Sequence, residues 1–413
     1  MVAKTSVNKD RYSHGVAIVL VCLGANILSH ADRNMLVVMI DVVQSDLGLS
    51  DTQIGLLHGL AFSLSFSVFT IVFASLADRM ARGNLIAIAI CLWSIATGLF
   101  GFATGFLSMF LARMGVGLGQ AMLSPTVYSL LASNFPRSRL ARASSWYVSG
   151  SFLGVALVLS VGGYLAEMSG QNMSVSIPYI ASFPAWRAGF IGAGIIGLIF
   201  AISVPFVIKD QRRVYVQPSP SFGKVLQFVM EHRNAIARHF VGFSFCALAM
   251  FTLIAWGPSY FMRVQGVGAA TAGVTLALGF LISNISGVLI SGVMTDYLER
   301  SGIPGGPFIV GSCAAFLTAI SMVFFVLGGD GSGSAIAFFL GLHFSCYVIA
   351  PSATAIQVLS PERMRARMYA LFLCLNNLIG MSIGALVVGL FNDYVFRSPS
   401  AVGISMAITV SVA

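Results

Sequence analysis

Long apolar runs recur along the 413 residues, parted by short polar stretches, at 14–43, 51–77, 84–104, 106–134, 144–166, 187–208, 237–262, 269–295, 306–327, 334–359, 367–392 and 400–413. Each of the first eleven reaches the ~20 residues that carry a helix across a bilayer core, so the pattern predicts an all-α membrane protein. The twelfth run holds only about fourteen residues and is expected to be a span cut short. The longest polar connection, 209–236, contains Pro218, Pro220 and a run of charge, and it divides the runs six and six. The expected organisation is therefore a six-helix bundle over 1–208, a linker over 209–236 and a second six-helix bundle over 237–413. Within the linker, Phe222, Val225, Leu226, Val229 and Met230 recur at helical spacing, which predicts a short amphipathic helix on the membrane surface.

Composition agrees with the pattern: 57% of residues are hydrophobic and 9% charged, against about 25% charged in soluble domains. The net charge of +9 does not point to nucleic acid, because the cations sit in short loops rather than on a stripe interleaved with aromatics. Arg79, Arg82, Arg137, Arg139, Arg142, Lys209, Arg212, Arg213, Lys224, Arg233, Arg238, Arg300, Arg363, Arg365 and Arg367 all follow even-numbered runs. Those loops and the N-terminus are expected to face the cytoplasm. The opposite loops carry mainly Asp46, Asp51, Glu167 and Asp330, with Arg187, Arg263 and Arg397 as exceptions. All six cysteines fall in apolar runs without CxxC or histidine spacing, so neither disulfides nor a metal site is indicated. No nucleophile–base pair stands out either, and neither an enzyme nor a cofactor is expected.

The polar positions inside the spans carry the chemistry. Ser29-His30-Ala31-Asp32-Arg33-Asn34 interrupts the first run, where a charge costs several kcal/mol unless it faces a bundle interior or an aqueous path. Asn26, His30 and Arg33 share one helical face. In the fourth run, Arg113, Gly117, Gln120 and Ser124 form a second polar face, while Gly115 and Gly119 have the spacing of a helix-packing pair. Counted from the outer helix ends, Arg33 and Arg113 lie at matching depth, so Asp32 can serve either arginine. Two arginines against one carboxylate leave a positive charge, which an anionic phosphate or carboxylate headgroup would balance. Substrate-binding candidates are Arg33, Arg113, Gln120, His58, Tyr128, Trp256 and Tyr260; Asp32, His30 and Gln120 are the candidates for proton coupling. His343 with Tyr347, Asn284 and Asn376-Asn377 are weaker cavity signals, since lone polar residues in bundles more often join helices.

An internal repeat links the halves. Gly55 precedes Asp78 by 23 residues and Gly273 precedes Asp296 by 23, with Arg82 and Arg300 each four further on. The spacing predicts parallel repeats with a substrate path between them. Asp78, Arg79, Arg82, Asp296 and Arg300 are expected to form a conformational latch, with Asp78 meeting the positive N-terminus of another helix in one state only.

At these residues the chain resembles the major facilitator superfamily, through the Asp78-Arg79…Arg82 loop, its partner Asp296…Arg300 and the Arg113-x-Gly-x-Gly-x-Gly helix. More narrowly, Ala31-Asp32-Arg33-Asn34, the run from Asp46 to Gly55 and Leu123-Ser124-Pro125 resemble its Spinster-like branch in a bacterial form. The resemblance implies twelve helices in two bundles, working as a monomer. It also implies alternating-access transport of a small amphipathic anion, of the lysophospholipid or sphingosine-phosphate type, coupled to protons. A drug/proton antiporter or a sugar-acid carrier of the same fold is the alternative; the antiporter's Gly-Pro pair is missing from the fifth run. Ala74 and Ala81 stand where the family usually has glycines, and His30 where an aromatic is common. Gln120 stands where the branch usually has a glutamate, and glutamine cannot titrate.

Overall fold

A computed structural model describes residues 2–74, 80–177, 181–208, 222–329, 331–361 and 364–413. Among them, eleven helices are long and apolar enough to cross a membrane: Gly15–Val38, Asp51–Thr70, Arg82–Gly101, Phe106–Asn134, Arg142–Gly170, Ala185–Val207, Arg233–Arg263, Ala269–Arg300, Gly306–Leu327, Ser332–Leu359 and Arg367–Val395. A shorter apolar helix, Pro399–Val412, stands in twelfth place. Large apolar side chains such as Leu107, Ile202, Phe206, Leu289 and Val293 point outward, as a hydrocarbon surrounding allows, while the helices satisfy their own backbone.

The first span stops at Val38 and a separate helix, Ile40–Leu47, restarts after Met39. The second span turns as a π-helix over Leu56–Ala61, and the eleventh does so over Asn377–Ile383 and again over Phe391–Val395. The tenth span changes to a 3₁₀ turn over Cys346–Val348 before resuming as Ile349–Leu359.

These elements form two compact units, 1–36 with 64–216, and 37–63 with 217–413. In the first, the third span packs along the fourth and sixth. Gly119 lets the fourth span come close to the third: a Cβ there would lie 2.7 Å from the Trp93 amide nitrogen. Phe100 and Phe190 meet at 4.5 Å between ring centroids in the core of this unit. Strands β1 (Ser174–Ile177) and β2 (Ala181–Pro184) make an antiparallel hairpin between the fifth and sixth spans. In the second unit the seventh span packs against the eleventh and twelfth helices, and the ninth against the tenth. The linker helix forms over Phe222–Glu231, with Val225 buried against Ile236 and Phe240 and with Leu226 and Met230 exposed.

Candidate substrate and coupling site

The first span's polar sextet is held by the third and fourth spans of the same unit. Arg113 is only 2% exposed, and its two terminal nitrogens donate to the Asp32 carbonyl at 3.2 Å and the Arg33 carbonyl at 2.9 Å. Its guanidinium lies 5.6 Å from the Phe100 ring centroid, and its Nε has no hydrogen-bond partner. The Asp32 carboxylate accepts from the Thr97 hydroxyl at 2.6 Å through Oδ2, while its buried Oδ1 has no partner. Sequence reasoning offered Asp32 as a carboxylate partner for either arginine; the geometry gives Arg113 backbone carbonyls and gives the carboxylate a threonine.

Arg33 is half-buried and stacks on Phe66 at 4.9 Å. It donates to Gln120 Oε1 from Nη2 at 3.1 Å and from Nε at 3.4 Å. Gln120 in turn donates through Nε2 to the Ser29 carbonyl at 3.0 Å. The amide therefore accepts from a cation on one side and donates to a carbonyl on the other. An ionised glutamate can do only the first, whereas a protonated one can do both. His30 bonds through Nδ1 to the Asn26 carbonyl one turn back at 3.2 Å, and Asn26 itself donates to the Tyr147 carbonyl at 2.6 Å. Tyr128 is 46% exposed and meets Tyr147 edge-on, and the Tyr147 hydroxyl pairs with Ser124. Arg33, Arg113, Gln120, Asp32, His30 and Tyr128 are thus all in the first unit.

The remaining candidates lie in the second unit. His58 is buried within the π-turn of the second span. Trp256 and Tyr260 are each 1% exposed with their polar atoms already engaged. The indole donates to the Ala385 carbonyl at 3.0 Å; the phenol pairs with Ser334 at 2.5 Å and accepts from Gln265 at 2.6 Å. Of the latch, Asp78 and Arg79 lie outside the described residues. Arg82 is buried and donates to the Ser133 hydroxyl at 2.7 Å, and Asp296 and Arg300 form a 3.8 Å pair, both highly exposed.

A second charged centre was not singled out in the sequence. Arg263, at the end of the seventh span, donates to Asp51 through Nη1 at 2.9 Å, to Asp41 through Nε at 2.8 Å and to Gln44 through Nη2 at 2.6 Å. Asp51 also accepts from Gln44 at 2.7 Å and from Asn392 at 2.7 Å, and Ser405 donates to Asn392. Asp393 accepts the Thr52 backbone N–H at 2.7 Å, and Ser50 closes a capping box with Gln53, so the start of the second span is fully capped. This accounts for Ser50, Asp51 and Gln53. Burial raises the Asp41 carboxyl above its usual range, against the pull of Arg263 and with a smaller push from Asp51.

Comparison with known proteins gives these sites a setting. The sequence model of the Major Facilitator Superfamily matches residues 22–385. The chain belongs to this superfamily. It is a multi-pass membrane transporter rather than an enzyme. An MFS-type efflux pump of Mycolicibacterium smegmatis (strain ATCC 700084 / mc(2)155) is 28% identical over 390 residues, 94% of this chain and 86% of that protein. The hexuronate transporter of Bacillus subtilis (strain 168) is 25% identical over 339 residues, 79% of this chain and 76% of its own. The Spinster resemblance is also met: Protein spinster homolog 1 of Xenopus tropicalis is 25% identical over 62% of this chain and 47% of its own length. The crystal structure of a bacterial homolog to the human lysosomal transporter Spinster, inward-facing and unoccupied, covers 97% of this chain and 92% of its own with a TM-score of 0.79 at 19% identity.

Proposed function

We propose that this transporter moves a lipid-like organic anion, of the lysophospholipid or sphingosine-phosphate type, across the bacterial inner membrane by proton-linked alternating access. Its N-terminus is cytoplasmic, and the working halves are the bundles 1–208 and 237–413. The observation that supports this best is the pair Arg33 and Arg113, set in one polar site with a single carboxylate, Asp32, and faced by Phe66 and Phe100. The surplus positive charge suits an anionic headgroup, and the aromatic surroundings suit an apolar tail. Asp78, Arg79 and Arg82, with Asp296 and Arg300, act as the cytoplasmic latch.

A sugar-acid carrier is the second reading, favoured by similarity to hexuronate and galactonate transporters, since a guanidinium pair holds a carboxylate as readily as a phosphate. Uptake of a labelled lysophospholipid into proteoliposomes, with unlabelled competitors, decides between them. Competition by anionic lysolipids, and none by an uncharged monoacylglycerol or by galactonate, is the expected result. Competition by galactonate alone would replace the first reading with the second.

A further inference from the structure

In the first unit's site Gln120 is an amide that cannot ionise, which leaves Asp32 as the carboxyl there. A different polar group in the second unit has the geometry to take up a proton. His343 lies twelve residues into the 28-residue tenth span, near its middle, just before the helix changes to its 3₁₀ turn. A local 3₁₀ turn inside a long helix is a common mark of a functional hinge. The imidazole is half-exposed and both of its nitrogens are bonded to hydroxyls: Nδ1 to Ser286 of the eighth span at 3.1 Å, and Nε2 to Tyr347 at 3.1 Å. Gly287 allows the two helices to come this close. A Cβ there would lie 2.9 Å from the Cys346 side chain and 3.0 Å from the His343 carbonyl.

The hydroxyls fix the tautomer. Ser286 Oγ donates its proton to the Ile282 carbonyl at 2.5 Å, so toward the ring it is an acceptor and Nδ1 carries the hydrogen. Nε2 is then a lone pair that accepts from the Tyr347 hydroxyl. When a proton from water binds Nε2, the new N–H donates to Tyr347 Oη, whose own hydrogen turns away. No heavy atom has to move and no hydrogen bond to the ring is lost, so neutral and cationic forms fit one framework.

No charged side chain opposes the change at close range among the described residues. The eighth span brings Asp296, Tyr297, Glu299 and Arg300, ten or more residues beyond Ser286 and so ~15 Å along the axis. The seventh brings Arg233, Arg238, His239, Cys246, Tyr260 and Arg263, and the ninth only Cys313. On the tenth itself the titratable neighbours are Cys346 and Tyr347.

We propose that the Ser286–His343–Tyr347 relay is a proton-binding site of the second unit and carries the coupling proton that Gln120 cannot. The coupling role rests on the transport reading above; the protonation itself does not. Two measurements on the full chain separate the claims. In protein labelled with ¹⁵N-histidine and placed in nanodiscs, the His343 resonances are those lost in His343→Gln. Nε2 is expected to change from lone pair to N–H between about pH 8 and 5 while Nδ1 stays protonated. Tyr347→Phe should shift the midpoint. A ring that keeps one state across this range, or a midpoint indifferent to Tyr347→Phe, overturns the site.

In proteoliposomes with an imposed pH gradient, the gradient-driven change in uptake should fall in His343→Gln to that of the gradient-free control, while exchange at equal pH persists. An unchanged gradient response overturns the coupling role. The resonance titration needs no substrate, so it decides protonation even if every anion in the uptake panel fails; that failure would count against the substrate reading alone.

Discussion

Arg113 and Arg263 are both guanidiniums largely withdrawn from water, yet one is surrounded by too little negative charge and the other by more than it needs. Around Arg113 a second arginine stands close by, the donors go to backbone carbonyls, and both Arg113 Nε and Asp32 Oδ1 are left without partners. Around Arg263 two carboxylates, a glutamine and a backbone carbonyl take up the guanidinium, and the carboxylates have further donors of their own. Unsatisfied polar atoms at low dielectric are costly, and a bound ligand would relieve that cost at the first centre. A saturated network holds protein to protein. The proposed function thus puts the ligand at the first centre, while the second holds the fold of its unit.

The sharpest way to break this contrast is to remove Arg263. Arg263→Ala would leave Asp51, 2% exposed, as an uncompensated buried charge, and should cost about 3 kcal/mol, the lower end for a broken buried pair, because Asp41 is 32% exposed. Thermal unfolding in detergent reads this; an unchanged Tm would show that the network is not structural. Arg113→Ala should instead leave most stability intact and weaken an anionic ligand by about 1.5 to 3 kcal/mol, the range of hydrogen bonds to charged groups. A neutral analogue of the same chain length should be affected far less. Equal losses for both in a binding titration would mean the guanidinium serves packing alone.

Gln120→Glu tests the amide between Arg33 and the Ser29 carbonyl. Only the protonated acid reproduces both bonds, so the variant should make ligand binding more pH-dependent, most like the present chain at low pH. Identical pH profiles would remove Gln120 from the coupling argument. Asp41 gives a smaller effect with a definite sign. Its folded-state carboxyl is raised, so between the ordinary carboxylate range and that raised value the folded chain binds more protons than the unfolded one, and stability falls as pH rises. Asp41→Asn should remove this part of the Tm-versus-pH slope; an unaltered slope would place the titration elsewhere. Asp296→Ala should do least, within about 0.5 kcal/mol, because its pair with Arg300 is exposed and long at 3.8 Å. A large loss of stability would mean the pair has a buried partner in another conformation.

The spans were legible because a bilayer demands ~20 apolar residues each time, and so was the first centre, because Arg33, Arg113 and Gln120 announce themselves inside apolar runs. Thr97 and the rings of Phe66 and Phe100 were not, since a single hydroxyl or phenylalanine in a span has no distinguishing neighbour. Arg263 was visible only as an exception to the rule that places cations in the cytoplasm. Its partners Asp41 and Asp51 lie more than two hundred residues away, a pairing no local pattern encodes. Taken together, an arginine in a loop that the charge rule expects to face outward and an acidic loop after the first run were the available clue.

The π-turn at Leu56–Ala61 has a consequence for heredity as well as for shape. A π-turn lodges one residue more than the α-helix around it can place, so it behaves as a single-codon insertion preserved within a span. Deleting one residue of that turn would restore the ordinary ladder and leave Phe62 and the residues beyond it facing as they do now, because the wide turn already absorbs the ~100° that one residue contributes. The same deletion in an α-helical stretch of the span would instead rotate everything beyond it by that angle. When relatives are aligned, a one-residue gap at this point keeps residues of the same facing paired, and a match drawn straight through it pairs residues that look in different directions.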